Sequence, residues 1–159
     1  DRMAALNVLS HSNAPERDAA LAAFHARYAD NALVIDKWFS VQAMSTRADT
    51  PAAVAALMTH PDFSYTNPNR LRALVGAYAA NQVRFNAADG SGYRLVADAV
   101  LAVDALNPQA AARLVSPLGR WKRFDATRAA KMRAELERIL ATPGLSKDMT
   151  EQVSKSLES

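Results

Sequence analysis

The chain has 159 residues, 50% of them hydrophobic and 22% charged, which suits one globular domain and excludes a disordered tail or a fibre. With 34 alanines against 5 glycines and 7% aromatics it favours close-packed helices over sheet, and having no cysteine it excludes disulfide scaffolds, zinc-thiolate or iron–sulfur centres and thiol nucleophiles, which fits the cytoplasm most simply. The longest apolar run, seven residues at 52–58, falls far short of the roughly 20 that span a bilayer, and a net charge of +3 is too diffuse to announce nucleic acid.

The chain opens at Asp1 with no initiator Met and turns helical within a few residues, which reads as a fragment missing its front. Helix starts are then marked by a capping side chain, often followed by a proline whose fixed φ is already helical and whose missing N–H costs nothing in the first turn. Asn13 with Pro15 and Glu16 marks the first, and Asn31 caps 33–44. Thr50-Pro51 precedes 52–60, Asn67-Pro68 precedes 69–80, and Ser91 stands before the run from Tyr93 to Leu106. Asn107-Pro108 precedes 109–118, and Asp125 and Ser146 cap the last two segments. The spacing predicts about eight or nine helices, each of about 10–17 residues, with no connection long enough to divide the chain.

The helical period names the core. Leu71, Leu74, Val75 and Tyr78 follow i, i+3, i+4, i+7, and Ala129, Met132, Leu136, Ile139 and Leu140 form a second stripe. Asn67-Pro68 and Asn107-Pro108 are each followed, five residues on, by Leu-Val (Leu74-Val75 and Leu114-Val115), an offset of 40 residues. HEAT and armadillo repeats have a period of about 40–47 residues and bury their helix pairs by stacking one on the next. The expected fold is therefore all-α, a right-handed superhelix of antiparallel helix pairs running as one helical-repeat domain over 1–159. Asp89-Gly90-Ser91-Gly92 is a tight turn needing positive φ, without the spacing of a phosphate loop.

The three histidines, His11, His25 and His60, include no i, i+4 pair that could present two imidazoles to one zinc ion from a helix, so spacing assembles no metal site. His25, between Phe24 and Tyr28, reads as a hydrogen-bonded structural histidine. No Gly-x-Ser-x-Gly elbow surrounds Ser91, and no carboxylate pair stands out as an acid–base couple, so the chain holds no catalytic centre of its own. The basic run from Arg120 to Arg138 carries i, i+4 pairs, Lys131 with Glu135 and Arg133 with Glu137, as an outer solvated helix does; Trp121 and Phe124 read as packing at a helix joint. Gln109 and Arg113 lie four apart on one helix face, and Arg72 occupies the comparable first turns of the other Asn-Pro helix. An arginine so close to a helix start opposes the macrodipole by up to about 1 kcal/mol, which calls for a compensating contact, either a structural pair or a bound ligand.

Several stretches carry a resemblance. Residues 34–43 (VIDKWFSVQA), 67–78 (NPNRLRALVGAY), 88–93 (ADGSGY), Asn107-Pro108-Gln109 with 113–118 (RLVSPL), and 131–137 (KMRAELE) with Leu145-Ser146 closely resemble the C-terminal helical domain of the bacterial aminopeptidase N family, in order and over almost the whole chain. The resemblance implies a parent zinc metalloaminopeptidase of several domains that removes N-terminal residues from peptides, its zinc held by His-Glu-x-x-His and a downstream glutamate. Neither that motif nor the family's Gly-x-Met-Glu-Asn segment occurs here, so no cofactor is expected in this fragment and the zinc belongs to the parent. The implied role is to cap the active-site cavity and control substrate access, with the catalytic domain of the same chain and peptide substrates as partners and neither nucleic acid nor membrane. Arg72, Gln109 and Arg113 match family positions that look cavity-facing. If the resemblance is set aside, the same periodicity describes a stand-alone helical-repeat interaction scaffold.

Overall fold

The computed structural model describes residues 2–158, and every regular element among them is helical. The helices are α1 (Arg2–Ser10), α2 (Glu16–Arg27), α3 (Ala32–Ala43), α4 (Thr50–Leu57), α5 (Pro68–Leu71), α6 (Ala77–Ala80), α7 (Gln82–Phe85), α8 (Ser91–Asp104), α9 (Pro108–Val115), α10 (Ala126–Leu140) and α11 (Lys147–Glu158). A π-helical turn, Arg72–Gly76, joins α5 to α6, and a 3₁₀ segment, Ser116–Arg123, follows α9. The elements fall into two compact units, Asp1–Ser64 with Asn69–Arg84, and Tyr65–Pro68 with Phe85–Ser159.

Four of the eight caps form where the sequence places them. Asn31 accepts from the Val34 N–H at 3.3 Å, Asn107 from the Ala110 N–H at 3.2 Å, Asp125 from the Arg128 N–H at 3.1 Å, and Ser146 Oγ from the Met149 N–H at 3.1 Å. Three differ. Ser91 is the first residue of α8 rather than its cap, because Asp89 Oδ1 takes both the Ser91 N–H (2.9 Å) and its hydroxyl (2.7 Å). Gly90 there adopts φ +80, as the turn requires, and a Cβ on it would lie 3.0 Å from Lys131 Cδ. Thr50 lies inside α4 and donates to the Ser45 carbonyl at 3.0 Å, and α2 opens after Pro15 with no side-chain cap.

In the first unit Ile35, Trp38 and Phe39 of α3 pack with Leu21, Phe24, Val54, Leu74, Val75 and Tyr78 in the core. Each fully buried side chain of this size contributes about 1.5–3 kcal/mol. The helix after Asn67 is not regular: the Ala77 N–H reaches back five residues to the Arg72 carbonyl, and Ser40 Oγ donates to the Ala73 carbonyl at 2.7 Å. The stripe Leu71, Leu74, Val75, Tyr78 is buried nonetheless. Short helices leave carbonyls without intrahelical partners, and buried side chains take them up. Ser45 Oγ (2.6 Å) and Arg17 Nε (3.1 Å) donate to the Ser10 carbonyl, while Asn81 Nδ2 donates to the carbonyls of Ala43 (2.9 Å) and Ser45 (2.8 Å).

In the second unit α8 packs against α9 and α10, and α11 against both α9 and α10. Its core holds Tyr93, Val96, Val100, Val103, Leu118, Met132, Leu136, Ile139, Met149 and Val153, with Leu114 and Val115 buried as Leu74 and Val75 are in the first unit. Arg133 pairs with Glu137 at 3.0 Å as spacing predicts, but Glu135 is buried and accepts from Arg138 Nε at 2.8 Å, while Lys131 Nζ donates to the Asp89 carbonyl at 3.3 Å. Trp121 Nε1 donates to the Ser156 carbonyl at 3.1 Å, the joint-packing role expected of it.

Buried Asp104, the last residue of α8, accepts from the Ser146 N–H at 2.8 Å and from its hydroxyl at 2.5 Å, tying the end of α8 to the start of α11. Asp104→Ala strands both donors and should cost about 1–3 kcal/mol, read as a lower urea midpoint at unchanged m-value. A shift inside experimental error would show that solvent replaces the carboxylate.

Candidate functional site

Of the three residues expected at a cavity, Gln109 and Arg113 share the outer face of α9. Ala111, Leu114 and Val115 point the opposite side of the helix inward, and Gln109 and Arg113 are exposed with no side-chain hydrogen bond or ion pair among the described residues. Arg72 begins the π-helical turn in the first unit, is exposed, and donates from Nη2 to Asn69 Oδ1 at 2.5 Å. A hydrogen bond to a neutral amide one helical turn away holds Arg72, not an ion pair, while Gln109 and Arg113 make no such side-chain contact among the described residues.

A second group of polar side chains gathers in the first unit around Trp38. The indole is fixed by its own Nε1–H, which donates to the Leu21 carbonyl at 2.8 Å, and by packing that leaves it 6% exposed. His25 of α2 lies against it with ring centroids 4.7 Å apart, and His60, just past α4, at 5.4 Å. The two imidazoles are 5.2 Å apart, and the edge of His60 also meets the buried Phe39 ring at 5.7 Å. Asp62 connects them: its carboxylate accepts from His25 Nε2 at 2.6 Å, and its backbone N–H donates to His60 Nδ1 at 3.0 Å. Beneath them Arg70 spans Asp36, 2.5 Å from its Nε, and the Asp62 carbonyl, with its guanidinium 5.2 Å over the Phe39 ring.

The charges follow from these neighbours. The hydrogen bond from His25, aided by the nearby positive groups, holds the Asp62 carboxyl below the usual carboxylate range. Burial pushes His60 below its ordinary 6.5, opposed by Asp62 and reinforced by His25 and Arg70. One ring nitrogen from each histidine and one Asp62 oxygen lie within 4.8 Å of one another. No spacing rule could find this cluster, because His25 stands 37 residues from Asp62; only the local pair His60-Pro61-Asp62 was visible as sequence.

Comparisons with other proteins set the chain in a family. A family model described as "Domain of unknown function (DUF3458_C) ARM repeats" matches residues 1–158. The chain belongs to this armadillo-repeat domain family. Curated relatives named Aminopeptidase N are 51% identical in Caulobacter vibrioides over 89% of the chain, 42% in Haemophilus influenzae over 99%, and 42% in Escherichia coli over 99%. The chain spans only 16–18% of the length of those relatives. A crystal structure of Legionella pneumophila aminopeptidase A in complex with aspartic acid matches with a TM-score of 0.93 at 34% identity, over 98% of this chain and 18% of that one. The all-α repeat domain and the likeness to aminopeptidase N expected from the sequence are thereby shown. No helix among the described residues is long and apolar enough to cross a membrane.

Because His60 has a depressed pKa in the folded chain, its neutral form is favoured there. Its contribution to stability is complete above the unfolded value of 6.5 and is lost as pH falls toward the folded value. Unfolding midpoints of the metal-free chain should therefore fall between about pH 7.5 and about pH 5.5, and His60→Phe, which keeps a ring against Trp38, should flatten that slope. An unchanged slope in His60→Phe would assign the loss to other groups.

Proposed function

We propose that this chain is the C-terminal helical part of a cytoplasmic, zinc-dependent aminopeptidase N, where it covers the catalytic domain and governs which peptides reach it. The observation that carries this reading is the pattern of coverage: aminopeptidase N relatives match nearly all of the chain, yet it spans less than a fifth of their length. The remaining length is where a parent would keep its chemistry. The family's zinc motif does not fit these residues, since no two of His11, His25 and His60 are four apart, and no step through that metal is assigned to them. In the parent, zinc would supply a Lewis acid and an activated water for amide hydrolysis.

The residues of this chain then act by binding. Arg113 offers five N–H donors and a permanent charge, suited to peptide carbonyls or a C-terminal carboxylate, and Gln109 on the same face of α9 can both donate and accept. Their exposure and lack of partners among the described residues support a role toward a ligand. Arg72 would add a positive charge while anchored on Asn69. Toward the rest of its own chain, the apolar groove of about 430 Å³ between α1 and α2, lined by Leu6, Leu9, Ala20, Ala23 and Phe24, is a surface suited to packing.

In the whole enzyme, Arg113→Ala should lower kcat/KM for peptides of several residues by about tenfold, while single-residue amides change less than about twofold, because only long substrates reach past the first positions. Equal losses on both would reject the binding role. The 159-residue chain alone should leave an alanyl reporter amide intact, and hydrolysis that chelators abolish would contradict the placing of the chemistry elsewhere.

A further inference from the structure

We propose that His25, His60 and Asp62 form a binding site for one divalent transition-metal ion of the zinc class. The cluster offers two imidazoles and a carboxylate from α2 and the turn after α4, with one donor atom from each within 4.8 Å of the others. Zinc–nitrogen and zinc–oxygen bonds of about 2.0–2.2 Å set two ligands of one ion roughly 3–4 Å apart, so the widest pair must close by about 1 Å. Both histidines are half-buried and Asp62 is exposed, so the donors are open to solvent.

The donors are already gathered on one support. Trp38, anchored on the Leu21 carbonyl, supports both imidazoles, and Phe39 backs His60. His25 Nε2 and Asp62 Oδ2 share a proton across 2.6 Å, and an ion would take its place, that proton moving to Nδ1 or to solvent. His60 Nδ1 carries a lone pair, now directed at the Asp62 N–H, and that lone pair would turn to the metal. Arg70 is the nearest opposing charge, and Asp36 compensates it at 2.5 Å. Two imidazoles with one carboxylate and no thiolate favour zinc, nickel or copper(II) over calcium, magnesium or copper(I), and three protein ligands leave room for water.

The test is calorimetric titration of Zn²⁺ into the tag-free 159-residue chain after treatment with chelator, alongside its histidine side-chain NMR spectrum. One ion should bind per chain with a Kd in the micromolar range. The imidazole signals of His25 and His60 should shift while those of His11 stay in place. His25→Gln, His60→Gln and Asp62→Asn should each weaken binding by at least about tenfold, and His11→Gln should not. Should a substitution unfold the chain, the spectra of the unsubstituted protein still decide. Zn²⁺ that leaves the His25 and His60 signals unmoved, binding undiminished in the His25 and His60 variants, or no saturable binding at millimolar Zn²⁺ would each overturn the site.

Discussion

Short helices create the constraint on which this structure depends: every helix end exposes backbone groups that the helix cannot satisfy, and a chain with so many ends must find partners for them inside. An unsatisfied buried group costs about 1–3 kcal/mol, so a handful left open would exceed a domain's whole stability margin. The answer here is a set of polar side chains, most of them buried. Ser45, Asn81 and Arg17 close the carbonyls at the ends of α1 and α3, and Asp104 with Ser146 closes the junction of α8 and α11. Among the described residues no buried side-chain polar atom lacks a partner.

The same logic explains why the helix at residues 68–80 tolerates a π-helical turn. A π turn opens the regular ladder, which an isolated helix resists, but α3 brings Ser40 to the Ala73 carbonyl and the buried stripe around Leu74 holds the segment in place. Arg72 opens this turn. In the second unit α9 gives way to a 3₁₀ segment at Ser116 instead, where Pro117 enters. Two segments with matching sequence thus leave regular helix by different routes.

Around Trp38 the aromatic core performs a second task. An indole buried for stability also supports two imidazoles drawn from distant parts of the chain, and Asp62 joins them into one polar cluster, its carboxylate accepting from His25 and its backbone N–H donating to His60. Different causes lower both pKa values: the His25 hydrogen bond and nearby positive charge outweigh burial at Asp62 and keep it ionised, while burial outweighs the Asp62 charge at His60 and favours its neutral form. By contrast, Gln109 and Arg113 owe their availability to isolation: α9 turns its alanine, leucine and valine inward and leaves them outside.

The sequence by itself determined the helical class, most positions of the buried stripes, half the caps and the family likeness, because each is carried by local pattern, where spacing is geometry. It also named Gln109 and Arg113 as neighbours, since four residues make one helical turn. Local pattern failed where another group competed for the same partner or the helix itself departed from regularity. Asp89 displaced Ser91 as a cap, Glu135 turned from Lys131 to Arg138, and Asn-Pro periodicity concealed the π turn. Only the tertiary structure could join His25 to His60 and Asp62, because their meeting depends on how α2, α3 and α4 pack around one indole, and contacts formed across more than thirty residues leave no periodic trace in the chain.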